Sequence, residues 1–115
     1  MYLSKEQILA NLVLPSETVD VPEWGGKVRV ATMSGTARDE WEQSMINAPA
    51  SRKMENMRAK LVAATVVNEQ GERFFSADDV EALGQLSGSA LDRVCRVAQR
   101  LNGLTNEDLE DAKGN

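Results

Sequence analysis

Residues 18–30 read Thr18-Val19-Asp20-Val21-Pro22-Glu23-Trp24-Gly25-Gly26-Lys27-Val28-Arg29-Val30. Both ends of this stretch alternate polar and apolar residues, the period-two pattern of a half-buried strand. Pro22-Glu23-Trp24-Gly25-Gly26 separates them, with two glycines free to take positive φ. The stretch predicts a β-hairpin with Val19, Val21, Val28 and Val30 on its buried face. A lone hairpin is marginal in water. Its apolar face must therefore pack on something else, and the rest of the chain reads as helix.

Upstream, Ser4 and Gln7 stand at capping-box spacing, and Ile8, Leu9, Leu12 and Val13 give one apolar side of a helix over residues 1–14. Pro15 stops it. Downstream, Ser34 or Thr36 can cap a helix, with Ala37, Trp41 and Met45 at steps of four and Asn47-Ala48-Pro49 as its end. Ser51 can start a third helix running to about Val67, on which Met54, Met57, Leu61 and Ala64 recur on one face. Its β-branched end, Thr65-Val66-Val67, is able to run into a strand. Asn68-Glu69-Gln70-Gly71 is a turn, and Glu72 to Phe75 a short extended piece. Ser76 with Asp79 caps a short fourth helix carrying Val80, Leu83 and Leu86. The clearest helix places Leu91, Val94, Cys95, Ala98 and Leu101 in a stripe and ends at Gly103. Thr105 with Asp108 caps a last helix with Leu109 and Ala112. The expected fold is mainly α: a compact helical domain with an N-terminal β-hairpin packed on it, a small α+β unit. It is read as a single domain over 1–115, with a helix at 1–14, the hairpin at 17–31 and a helical body at 34–113.

A chain of 115 residues is long enough to bury roughly two-thirds of its unfolded surface without a disulfide or metal. Its 18 acids against 13 bases leave a net charge of −5, which opposes binding to phosphate backbones. Arg93, Arg96 and Arg100 could form a basic strip, but Asp92 interrupts it and a solvated helix face explains it better. The longest apolar run, Leu61 to Val67, falls far short of a membrane span. One cysteine and no apolar leader fit a soluble cytoplasmic chain.

Sites for chemistry fail one by one. There is no histidine, which removes the commonest general base and the commonest metal ligand. Asp78-Asp79 sits in a first helical turn, where acids complement the helix dipole. An EF-hand register on Gly71 puts Val66 and Ala77 at the two end ligand positions, and neither can bind calcium. Cys95 lies on an apolar stripe and reads as inert core. The glycines make no phosphate loop. No catalytic residue, cofactor or metal is expected. The acidic run Glu107, Asp108, Glu110 and Asp111 reads as a solvated face, or as a dock for a basic partner. Met45, Met54 and Met57, with Trp41 and Leu61, are the candidates for partner binding, because Met-rich apolar faces grip varied helices. The same spacing also describes ordinary core.

In order, Val21 to Val30, Met33 to Glu42, Val66 to Gly84 and Ala90 to Leu104 resemble the tail assembly chaperones of long, flexible-tailed bacteriophages and prophages, over roughly residues 17 to 110. The resemblance implies a small helical protein that binds the tape measure protein, keeps it soluble and helps recruit tail tube subunits. It also implies a host-cytoplasmic protein absent from the finished particle. In such families a ribosomal frameshift adds a second domain that contacts the tube protein, and the acidic end with Lys113-Gly114-Asn115 suits the unshifted form. Homo-oligomers, which multiply weak contacts, fit the same role. The competing reading is a structural virion protein such as a head–tail connector or tail completion protein.

Overall fold

A computed structural model describes residues 1–50 and 56–104. The hairpin is present with the expected face. Strand β1 (Ser16–Val21) pairs antiparallel with β2 (Gly26–Ala31), and Val19 stands directly opposite Val28. The connection is a 3-10 turn over Pro22–Trp24, closed by Gly25 at φ 71°, where a side chain would be strained. Val19, Val21 and Val30 are buried, and Val28 packs at the edge of the same core.

The sheet gains a third strand. Helix α3 (Met57–Thr65) ends where β-branched Val66 turns to extended backbone, and β3 (Val66–Val67) pairs with Arg29 and Val30 of β2. The order is β1-β2-β3. Thr65 is buried, and its hydroxyl donates to the Leu61 carbonyl at 2.7 Å, so the polar atom costs nothing inside the core. Asn68 then organises the reversal: its Oδ1 accepts the N–H groups of Gln70 and Glu72, both at 2.9 Å, and Gly71 takes φ 83°. The returning chain makes a bridge between Val67 and Arg73.

Helix α5 (Gly88–Leu101) buries Ala90, Leu91, Val94, Cys95 and Ala98 against α3, β1 and β2. Ser87 caps its start, accepting from Ala90 N–H at 3.2 Å. At its end, Gly103 at φ 64° donates to Arg100 O and Leu104 donates to Gln99 O. This is a Schellman stop, with Leu104 folded back into the core. Helix α2 (Gly35–Ile46), capped by Ser34 through Ala37 N–H, buries Trp41 and Met45 on α3. Ser76 and Asp79 form the expected capping box over a 3-10 turn, Ala77–Asp79, which leads into α4 (Val80–Gly84) with Leu83 buried.

The first helix differs from expectation. Ser4 and Gln7 do make a reciprocal capping box, at 2.8 and 3.2 Å, but α1 spans only Lys5–Leu9 and buries nothing. Ile8, Leu9, Leu12 and Val13 are all exposed instead of lying against the body. A cap satisfies orphan N–H groups but supplies no burial, so the helix stops after its first turns. The expected helix start at Ser51 and the last helix, with Thr105, Asp108, Leu109 and Ala112, lie outside the described residues, as does the acidic run. No helix among the described residues is long and apolar enough to cross a membrane.

Candidate partner-binding surfaces

Three of the five residues singled out for partner contact meet at one cleft. Trp41, Met57 and Leu61 line a cavity of about 540 Å³ between α3, α5 and the end of α4, with Leu86, Leu91 and Cys95. Trp41, Met45 and Leu61 are themselves core residues, at 5%, 0% and 3% exposure, while Met57 is half-buried at its margin. Met54 lies outside the described residues. Trp41 Nε1 is buried without a hydrogen-bond partner.

Cys95 stands in the same cavity wall as a buried free thiol. Burial pushes its thiol up to about 12, and its Sγ donates to the Arg58 carbonyl at 3.4 Å. A thiol held so far above neutral pH stays protonated and is a poor nucleophile. Among the described residues no cluster of potential metal ligands occurs.

The arginines of α5 do not form a free basic strip. Arg93 binds Glu23 of the hairpin turn through two hydrogen bonds, at 3.2 and 3.0 Å, and Arg100 pairs with Glu17 of β1. Arg96 pairs with Asp92, one turn back. Each guanidinium thus meets a carboxylate, and two of them fasten α5 to the hairpin. The Arg93 hydrogen bond also holds the Glu23 carboxyl below the usual glutamate range, aided by a backbone hydrogen bond.

The uncovered apolar surface lies elsewhere. Met1, Tyr2, Leu3, Ile8, Leu9, Leu12, Val13, Leu14, Ile46, Phe74 and Leu86 are the exposed large apolar side chains among the described residues. Eight of these eleven belong to the arm over residues 1–14, so most of its apolar surface is open, while Leu12 and Leu14 at its end border a cleft with Met33 and Val67. Phe74 and Leu86 line a second cleft of about 420 Å³, with Trp24 and Val28 of the hairpin, Val66 of β3, and Phe75, Asp79, Ala82 and Leu83. Phe74 and Phe75 meet edge to face with centroids 6.0 Å apart. Sequence reasoning assigned Trp24 to a turn, Phe74 to a short extended piece and Leu86 to a helix stripe. Nothing in their spacing says that the fold gathers them.

A further residue missed by sequence is Asn102, just past α5. Its Oδ1 accepts the Met33 N–H at 2.7 Å, and its Nδ2 donates to the carbonyls of Ala98 at 2.8 Å and Ala31 at 3.5 Å. Arg38 of α2 donates to its carbonyl at 3.0 Å. The buried amide thus ties α5 to the end of β2, and the backbone carbonyl of the same residue holds α2 through Arg38.

Comparison with known proteins bears on the resemblance. A solved structure described as the bacteriophage HK97 tail assembly chaperone has 25% sequence identity and a TM-score of 0.58, covering 85% of this chain and 98% of that one. No curated protein shows significant similarity to the chain. Residues 5–115 match the family described as phage tail assembly chaperone, and the chain belongs to that family.

Proposed function

We infer that the chain binds the tape measure protein, keeps it soluble, and helps recruit tail tube subunits while the tail is built. Membership of the tail assembly chaperone family over residues 5–115 carries this reading. The apolar arm and the apolar cleft support it, since exposed apolar patches on a charged surface mark contact sites. A long amphipathic helix aggregates through its apolar stripe. A binder that covers the stripe and adds net negative charge keeps the complex in solution. Many copies on one long partner gain avidity, and contacts between copies would strengthen the coat. A frameshift-extended form would reach the tail tube protein. Of the set Trp41, Met45, Met54, Met57 and Leu61, the half-buried Met57 offers a further contact at the cleft it lines with Trp41 and Leu61. Its place of action is the host cytoplasm, and it leaves before the virion is complete. No step requires catalysis.

Co-expression with the tape measure protein of the same gene cluster tests this. The expected result is tape measure protein in the soluble fraction only when this chain is present. Equal insolubility with and without it defeats the reading. Stoichiometric amounts of this chain in purified particles, read by mass spectrometry, would instead make it a structural component.

A further inference from the structure

We propose that the cleft framed by Trp24, Phe74, Phe75 and Leu86 is the seat for one amphipathic helix of the partner, whose apolar stripe is flanked by a lysine or arginine that meets Asp79. This rests on the tape measure reading above and assigns that contact a place. The cleft lies between the turn end of the hairpin and α4, with Val28 and Val66 at its floor. Its volume is about 420 Å³. Phe74 at 58% and Leu86 at 44% exposure stand open at its walls, although both are large and apolar. Burying them on a partner releases the surface the fold leaves wet.

The lining decides the conformation of the occupant. Apart from Asp79 it is made of apolar residues, so it offers few groups to pair with a peptide backbone. An extended segment would bury its N–H and C=O groups unpaired, at a cost of roughly 1–3 kcal/mol each. A free strand edge would solve that, but beyond β3 the chain already bridges Val67 to Arg73. A helix satisfies its own backbone and needs only side-chain contacts, at i, i+3, i+4 and i+7.

Asp79 decides the charge. It is the one ionisable residue of the lining. Its Oδ2 accepts the Ser76 N–H at 2.8 Å, and no described cation pairs with it. At the edge of an apolar cleft, on a chain of net charge −5, such a carboxylate selects a cation and repels an acid.

The test uses the full chain and two synthetic helical peptides. Both carry a leucine stripe at i, i+3, i+4 and i+7. One has lysines flanking the stripe and the other has glutamates there. The chain has two tryptophans, so two indole N–H signals report by NMR. The lysine peptide is expected to shift the Trp24 signal and leave that of buried Trp41 in place. Phe74→Ala with Leu86→Ala, in a variant whose urea midpoint shows that it folds, is expected to weaken binding about tenfold or more, the loss of two anchors. Asp79→Asn keeps the cap and is expected to erase the preference for the lysine peptide. An unmoved Trp24, equal binding of both peptides, or unchanged binding by the double variant each overturn the proposal. So does a Trp24 shift on concentrating the chain alone, which would assign the cleft to a second copy. In the co-expression assay, a double variant that still keeps the tape measure protein soluble defeats the cleft and leaves the chaperone reading intact. Failure of the unmodified chain there defeats the chaperone reading.

Discussion

Helices α1 and α5 begin with the same grammar and end in different places. Both have a serine cap whose hydroxyl accepts an N–H three residues on, and both are followed by an apolar stripe. In α5 the stripe lands on α3 and on the hairpin face, and the helix runs fourteen residues with five buried. In α1 the stripe lands on nothing, and the helix lasts five residues with none buried. Local signals start a helix, but burial decides how far it propagates, because a short helix is marginal in water without a packed face. The difference also divides the labour. The α5 side of the molecule holds the fold, and the α1 side is apolar surface left over for something else.

The sharpest attack on this contrast is to unfasten α5. Asn102→Ala leaves the Met33 N–H and the Ala31 carbonyl buried without their amide partner. With unpaired buried groups costing roughly 1–3 kcal/mol each, the expected loss is about 2–4 kcal/mol in urea unfolding. A loss well under 1 kcal/mol would mean that the amide is not what binds α5 to the end of β2.

The next effect compares the two caps directly. Ser87→Ala removes the acceptor for the Ala90 N–H, and about 1 kcal/mol of global stability should go with it. Ser4→Ala removes the matching acceptor from Gln7 N–H, yet global stability should stay put, since α1 melts without touching the core. Equal losses from the two variants would erase the distinction between the helices.

The same contrast explains what was legible beforehand. The hairpin was readable because Val19, Val21, Val28 and Val30 alternate with charged or polar residues and two glycines mark the turn, all within thirteen residues. The α5 stripe and its Gly103 stop were readable for the same reason: the information is local. Strand β3 could only be allowed, because Val66 and Val67 become a strand by pairing with Arg29 and Val30 far back in the chain. Met45 and Leu61 fit core and groove equally by spacing, and only tertiary packing put them inside. The cleft was out of reach, since Trp24, Phe74 and Leu86 come from three connecting segments whose meeting no local pattern records.

A subtler hold on α5 is electrostatic. Arg93 keeps the Glu23 carboxyl below the usual glutamate value of 4.5. A carboxyl with a lowered folded value binds its proton less readily folded than unfolded. Its stabilising share is therefore complete above the unfolded value and fades as pH falls through the folded one. The difference in stability between the unmodified chain and Glu23→Gln should be flat at neutral pH and shrink on acidification below about 4.5. The Arg93 side chain is half exposed and the pair sits at the surface, so the whole effect should be small and weaken with salt. A difference that grows on acidification would show that the pair does not fasten the hairpin turn to α5.

Smallest of all should be the effect of removing the arm. Deleting residues 1–14 takes away eight large apolar side chains, which in a core would be ruinous. Here they are largely exposed, with only Leu12 and Leu14 bordering the body, and Pro15, whose carbonyl accepts the Thr32 N–H at 2.8 Å, stays to close the sheet end. The urea midpoint should hold to within about 0.5 kcal/mol of stability, as for surface changes generally. Solubility should improve, because the exposed apolar stripe is gone. The chaperone assay then separates two uses of the arm. If the truncated chain is as stable but no longer keeps the tape measure protein soluble, the arm's exposure is functional. If stability falls by more than about 1 kcal/mol, the arm packs on the body in solution, and the contrast between α1 and α5 fails at its root.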